Sequence, residues 1–67
     1  METIKDFEDA FLAEAVEEGR PVRLFHTTGY QQQVTILDYS MDALLVQKEN
    51  GKKCVVYRHG ISTIVME

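Results

Sequence analysis

The sequence predicts a mainly β domain in which one N-terminal α-helix precedes a strongly bent, barrel-like sheet of five short antiparallel strands. Three observations predict it. The chain has 67 residues, enough for one domain. Its apolar spacing changes from a helical to a two-residue period just after Pro21. The segments beyond that point are joined by connections of about two to four residues, too short for the crossovers that parallel strands require. The domain is expected over residues 1–67, with the helix at about 3–18 and the sheet at about 22–66.

The stretch "TIKDFEDAFLAEAVEEG" carries the helix. Thr3 caps the free amides, with Asp6 three residues on as a capping-box variant. Phe7, Phe11 and Ala15 recur at i, i+4 and i+8, with Ala10 and Leu12 beside them, so this face docks on the sheet and Phe7 and Phe11 are expected in the core. Gly19 supplies the stop, and Pro21 after Arg20 forbids continuation. Glu14, Glu17 and Glu18 crowd like charges near the negative end of the helix, which reads as a solvated face that costs a little stability.

"VRLFHT" begins the sheet, with Val22, Leu24 and His26 on one face and Arg23, Phe25 and Thr27 on the other; Thr28-Gly29 offers a tight turn. "YQQQVTILDY" is a longer second strand, "SMD" a break, and "ALLVQK" a third strand too apolar to be open on both faces. Asn50-Gly51 is the strongest hairpin signal, predicted as a type I′ turn with positive φ at both residues. It leads into "KKCVVY"; "RHG" breaks the pairing, and "ISTIVM" is the fifth strand. An open five-stranded sheet has two edges. Strands four and five carry β-branched residues with little charge to blunt them, so edge pairing between copies, repeated head to tail, closes a ring.

Composition narrows the function. So short a chain buries little apolar surface, and its lone cysteine, Cys54, excludes an internal disulfide. Cys54, His26 and His59 fall short of a structural zinc site, leaving oligomerisation as the expected support. Cys54 reads as a small apolar filler and His26 as a strand-surface histidine. No apolar run approaches the roughly 18 residues of a membrane span, and no charged-then-apolar leader follows Met1, so a cytoplasmic protein is expected. No nucleophile-base set, phosphate-cradling glycine loop or metal quartet is present in the sequence; no enzyme, cofactor or metal is expected.

A net charge of -4 and a pI near 5.0 at first argue against nucleic acid. The distribution argues otherwise. Met1 to Glu18 holds seven acids and one base, whereas Gly19 to Glu67 holds six bases and four acids. An acidic helix is joined to a mildly basic sheet.

Four features carry a resemblance: "DAFL" at Asp9 to Leu12, "PV" at Pro21-Val22, the turn glycine Gly29, and "YRHGIST" at Tyr57 to Thr63. Together they resemble the bacterial Sm-like (LSm) RNA chaperone family Hfq, from about Phe7 to Val65. The last stretch is similar to the family's second Sm motif, usually Tyr-Lys-His-Ala-Ile-Ser-Thr, with Arg58 and Gly60 as the departures. The resemblance implies an Sm-like (SH3-like) fold and a homohexameric ring joined through strands four and five. It implies single-stranded RNA, both small RNA and mRNA, as partner in post-transcriptional regulation, and no membrane.

On the face away from the helix, called distal, the resemblance implies A-rich RNA at Phe25, Gly29, Tyr30, Gln31, Gln33 and Thr63. On the helix-bearing proximal face it implies a pore for U-rich RNA at Glu8, Tyr39, Met41, Asp42, Arg58 and His59, where ring symmetry gathers copies of the Arg58-His59 pair. The proximal side departs most from the family. Asp42 stands where the family has a stacking aromatic, Glu8 where it has an amide, and Ser40 where it has an aspartate; Val34 replaces a glycine, and Val16 and Glu17 replace the late basic patch of the helix. Both Asp42 and Glu8 repel phosphate. The expectation is an RNA-binding ring that favours A- or purine-rich stretches, with weakened U-rich pore binding. The alternative is an Sm-like structural or interaction scaffold whose acidic helices face a basic partner. Residue by residue, Arg58 reads otherwise as an intersubunit salt bridge, His59 as a turn histidine donating to a backbone carbonyl at the subunit interface, and Phe25 and Tyr30 as core or interface aromatics.

Overall fold

The computed structural model describes residues 7–67, so the Thr3 and Asp6 cap lies outside the described residues. Helix α1 (Phe7–Glu18) is followed by β1 (Pro21–His26), β2 (Gln31–Tyr39), β3 (Ala43–Lys48) and β4 (Lys53–Tyr57). A one-turn 3-10 segment (Arg58–Gly60) then leads into β5 (Ile61–Met66). All pairings are antiparallel, in the order β4-β3-β2-β1-β5, which leaves β4 and β5 as the two edges. Register shifts at Phe25/His26 and at Ile36/Asp38 bend the sheet, because a bulge adds twist where it breaks the ladder.

Alternation along the strands builds the core. Val22, Leu24, Val34, Ile36, Leu44 and Val46 point to the side that α1 covers and are buried with Leu12 and Ala15. Each such aliphatic side chain contributes about 1.5 to 3 kcal/mol by leaving water. The helix seats differently from its expected register. Leu12 and Ala15 form the buried contact and Phe11 and Val16 flank it, while Phe7 is 80% exposed. Phe7 shares the Phe11 stripe but sits one turn earlier, where the helix overhangs the sheet, so it is not a core residue.

The helix stops as expected. Gly19, at φ +65°, donates its N–H to the Ala15 carbonyl at 3.0 Å, the left-handed cap that glycine accepts most readily. Both glycine-closed hairpins have one design. In the first, Gly29 N–H donates to His26 O and His26 N–H to Tyr30 O; in the second, Gly51 N–H donates to Lys48 O and Lys48 N–H to Lys52 O. Gly29 and Gly51 have φ of +96° and +88°, and no non-glycine residue has positive φ among the described residues. The Asn50-Gly51 hairpin is therefore a three-residue loop ending in a left-handed glycine, and the expected type I′ turn does not form. Asn50 instead accepts the Lys52 N–H on its side-chain oxygen at 2.9 Å. That local bond replaces the positive φ. No helix among the described residues is long and apolar enough to cross a membrane.

Candidate nucleic-acid interface

The outer face of the sheet aligns several of the residues assigned to RNA. β1 pairs Phe25 with Gln31 on one side and with Thr63 on the other, so an aromatic, an amide and a hydroxyl lie in one cross-strand row. Two residues along, Arg23 is opposite both Gln33 and Val65 on the same face. Phe25 is half-buried and Gln31 and Thr63 are exposed, so a partly exposed ring is flanked by hydrogen-bonding groups. Ser62 Oγ ties the row by donating to the Phe25 carbonyl at 3.1 Å.

Tyr30 is placed elsewhere. Its ring lies 5.3 Å from the His26 imidazole at 46°, and Gln32 Nε2 shares a 3.0 Å hydrogen bond with His26 Nε2. Tyr30, His26 and Gln32 thus form a cluster at the Gly29 turn, beside the Phe25 row. Sequence reasoning left His26 as a plain strand residue; the signal was the turn glycine, which makes positions 26 and 30 the closing pair.

On the helix side, Glu8, Tyr39, Asp42 and Arg58 come together within one chain. The Arg58 guanidinium is bound to Glu8 Oε1, faces Asp9 Oδ1 at 3.5 Å, and donates to the Ser40 carbonyl at 2.6 Å. Its backbone N–H donates to Asp42 O at 2.8 Å, and the Tyr39 hydroxyl donates to the Asp9 carbonyl at 3.4 Å. Ser40 shapes the turn by accepting the Asp42 and Ala43 amides on Oγ. Met41 projects from that turn, exposed. His59 stands apart from the arginine, its exposed ring stacked with Tyr57 at 6.2 Å. The Arg58 side chain is only 16% exposed, so its charge is already spent on two carboxylates before any phosphate arrives.

The other arginines are also engaged. Arg20 pairs with Glu18 at 3.1 Å and donates to the Glu67 carbonyl, and Arg23 Nε pairs with Glu67 Oε2 at 3.1 Å. Late in α1, Val16 packs on the core and Glu17 is exposed, so that surface carries no cation. Val34, in place of a glycine, is 2% exposed and fills the core beneath β2.

Comparison with known proteins gives a consistent set of relatives. The chain is 32% identical over 59 residues to the RNA-binding protein Hfq of Pelotomaculum thermopropionicum, which covers 88% of this chain and 70% of that one. Similarity to the RNA-binding protein Hfq of Desulforamulus reducens is 32%, over 88% and 72% of the two chains. For the protein of the same name from Clostridium botulinum it is 29%, over 92% and 79%. A solved structure described as the pleiotropic translational regulator Hfq superposes with a TM-score of 0.86 at 24% identity, over 91% of this chain and 100% of that one, a likeness of fold. No family model matches the chain.

Proposed function

The chain belongs to the Hfq family of Sm-like RNA-binding proteins, and on that premise we propose that it forms a ring, a homohexamer, that binds single-stranded RNA and favours A- or purine-rich stretches on its distal face. It is not an enzyme. The observation that carries the distal reading is the cross-strand row of Phe25, Gln31 and Thr63, with Gln33 in the next row. A partly exposed aromatic face stacks on any base, worth about 1 to 3 kcal/mol per base in single-strand binders, while amide and hydroxyl groups read the base edge. Gly29 supplies the positive φ that closes the turn, and Tyr30 adds a second ring held against His26. Repetition around the ring multiplies these modest pockets, so affinity comes from simultaneous engagement.

The proximal face supports weaker U-rich binding. Glu8 and Asp9 hold the Arg58 charge, Asp42 offers no ring on which uracil stacks, and His59 and Met41 remain exposed at the turns. The sheet edges support ring closure: Val55 and Tyr57 on β4 and Val65 on β5 are exposed apolar groups on strands whose outer edges have no partner among the described residues. A cytoplasmic role with small RNA and mRNA as partners follows from the same reading. A second reading, a scaffold for a basic protein, draws on Glu14, Glu17 and Glu18, all exposed along α1.

Fluorescence anisotropy with labelled A-rich and U-rich oligoribonucleotides at low and moderate salt, on material of mass known from light scattering, tests the proposal. Preferential A-rich binding by a ring is the expected result. Absence of binding to either oligonucleotide at low salt overturns it in favour of the scaffold.

A further inference from the structure

Among the described residues, the cations without an ion pair gather at one place. Arg20, Arg23 and Arg58 are all paired with carboxylates, whereas Lys48, Lys52 and Lys53, which have no such partner, cluster on the β3–β4 hairpin. The hairpin is held firmly. Lys48 N–H donates to Lys52 O at 2.8 Å, Gly51 N–H to Lys48 O at 2.9 Å, and Gln47 Nε2 to Gly51 O at 3.2 Å. Lys48 closes β3, Lys52 ends the loop and Lys53 opens β4, so three lysines collect at one end of one hairpin and raise the local positive potential of a chain that is otherwise acidic.

A groove joins that patch to the distal face. It is lined by Arg23 on β1, by Gln31, Gln32 and Gln33 on β2, and by Lys48, Glu49 and Asn50 where β3 enters the hairpin. Thr35, Gln47 and Lys53 form a cross-strand row on the same face as Arg23 and Gln33, so Lys53 lies on the surface that carries the base-reading amides. Glu49 is the opposing charge in the groove, one carboxylate beside Lys48, with Lys52 and Lys53 exposed farther along the hairpin. Arg23 cannot dominate the groove because Glu67 already holds it.

We propose that Lys48, Lys52 and Lys53 make the β3–β4 hairpin a phosphate-contacting extension of the distal site, receiving the sugar–phosphate backbone of a strand whose bases lie at Gln31 and Gln33. The inference rests on the RNA-binding reading above. Phosphate contacts position a strand and base contacts specify it, so the hairpin contributes affinity without sequence preference. It also offers a way for an acidic chain to hold a polyanion: among the described residues the cations that pair internally are arginines, and those left for RNA are lysines of one hairpin.

The test is the slope of log affinity against log salt for an A-rich oligoribonucleotide and for a mixed-sequence one of equal length, measured on the full chain. Lys48→Gln/Lys52→Gln/Lys53→Gln should weaken both oligonucleotides alike and make the slope shallower, by about 0.7 for each phosphate contact removed. Lys48→Arg/Lys52→Arg/Lys53→Arg should restore the slope, which a merely structural loss does not predict. Gln33→Ala should weaken the A-rich oligonucleotide and keep the slope. An unchanged slope in the glutamine variant overturns the hairpin proposal alone. If the unaltered protein binds neither oligonucleotide at low salt, the RNA reading and this extension of it both fall.

Discussion

Arg58 is bound through its guanidinium to the carboxylate of Glu8, fifty positions earlier in the chain, and this contact fixes how much positive charge the turn before β5 offers. Asp9 and the Ser40 carbonyl complete the shell around the same side chain. A residue that reads in the sequence as a hydrogen-bond donor to phosphate is, in the fold, the strap that ties the start of α1 to the sheet.

Glu8→Gln should release part of that charge. Glu8 is 65% exposed, so losing the pair should lower stability by no more than about 1 kcal/mol. Combined with Asp42→Phe, which supplies a ring at an exposed turn, the substitution should raise affinity for a U-rich oligoribonucleotide and steepen its salt dependence by about 0.7 in slope for each phosphate newly held. Anisotropy titrations over a salt series read both quantities. Unchanged U-rich affinity in the double variant would sink the account of the proximal face.

Phe25→Ala and Tyr30→Ala should each weaken A-rich binding by about 1 to 3 kcal/mol while leaving the assembly intact. Tyr30 is exposed, and Phe25 lies on the outer face away from the Leu24 and Val22 core contacts, so neither change empties the core. Titration alongside light scattering separates lost RNA contact from lost assembly. Retained A-rich affinity in both variants would remove the aromatic platform from the distal site.

The element pattern was legible because each signal is local: a two-residue period, a glycine in the β1–β2 and β3–β4 turns, and a proline after the helix. Side-chain partnerships were not. The helical stripe of Phe7, Phe11 and Ala15 gives the correct face but not how far the helix extends past the sheet, so Phe7 reads as buried when it overhangs. Asn50-Gly51 marks a hairpin without fixing its turn, because an asparagine side chain that bonds the Lys52 N–H competes with the positive φ of the two-residue form. The capture of Arg58 by Glu8 and the approach of Tyr30 to His26 join residues whose spacing carries no period, and only the folded register brings them together. The resemblance located candidate residues on both faces, but their electrostatic state was decided by contacts it does not encode.

Gly29 and Gly60 should respond oppositely to alanine. Gly29 has φ +96°, where a Cβ is strained, so Gly29→Ala should cost about 1 kcal/mol or more. At Gly60 φ is not positive and no atom lies within 4 Å of an added Cβ; Gly60→Ala should stabilise by about 0.4 to 1 kcal/mol through the unfolded state. In a domain of this size the two melting temperatures should move in opposite directions, by up to about 4 to 8 °C for each kcal/mol. A destabilised Gly60→Ala variant would show that the 3-10 turn needs glycine for close approach by another molecule.

Val55→Glu should separate assembly from folding. Val55 is 55% exposed on edge strand β4, with its neighbours in the strand, Cys54 and Val56, turned to the core side, so a carboxylate there leaves the hydrophobic contacts of this chain in place. At a β4-to-β5 junction the same carboxylate must be buried beside an apolar edge that includes Val65, and every junction of a ring carries one copy. Light scattering at micromolar concentration should therefore give the monomer mass for a variant whose circular dichroism still shows a β-rich fold. A particle mass equal to that of the unaltered protein would place the subunit contact on some surface other than these two edges.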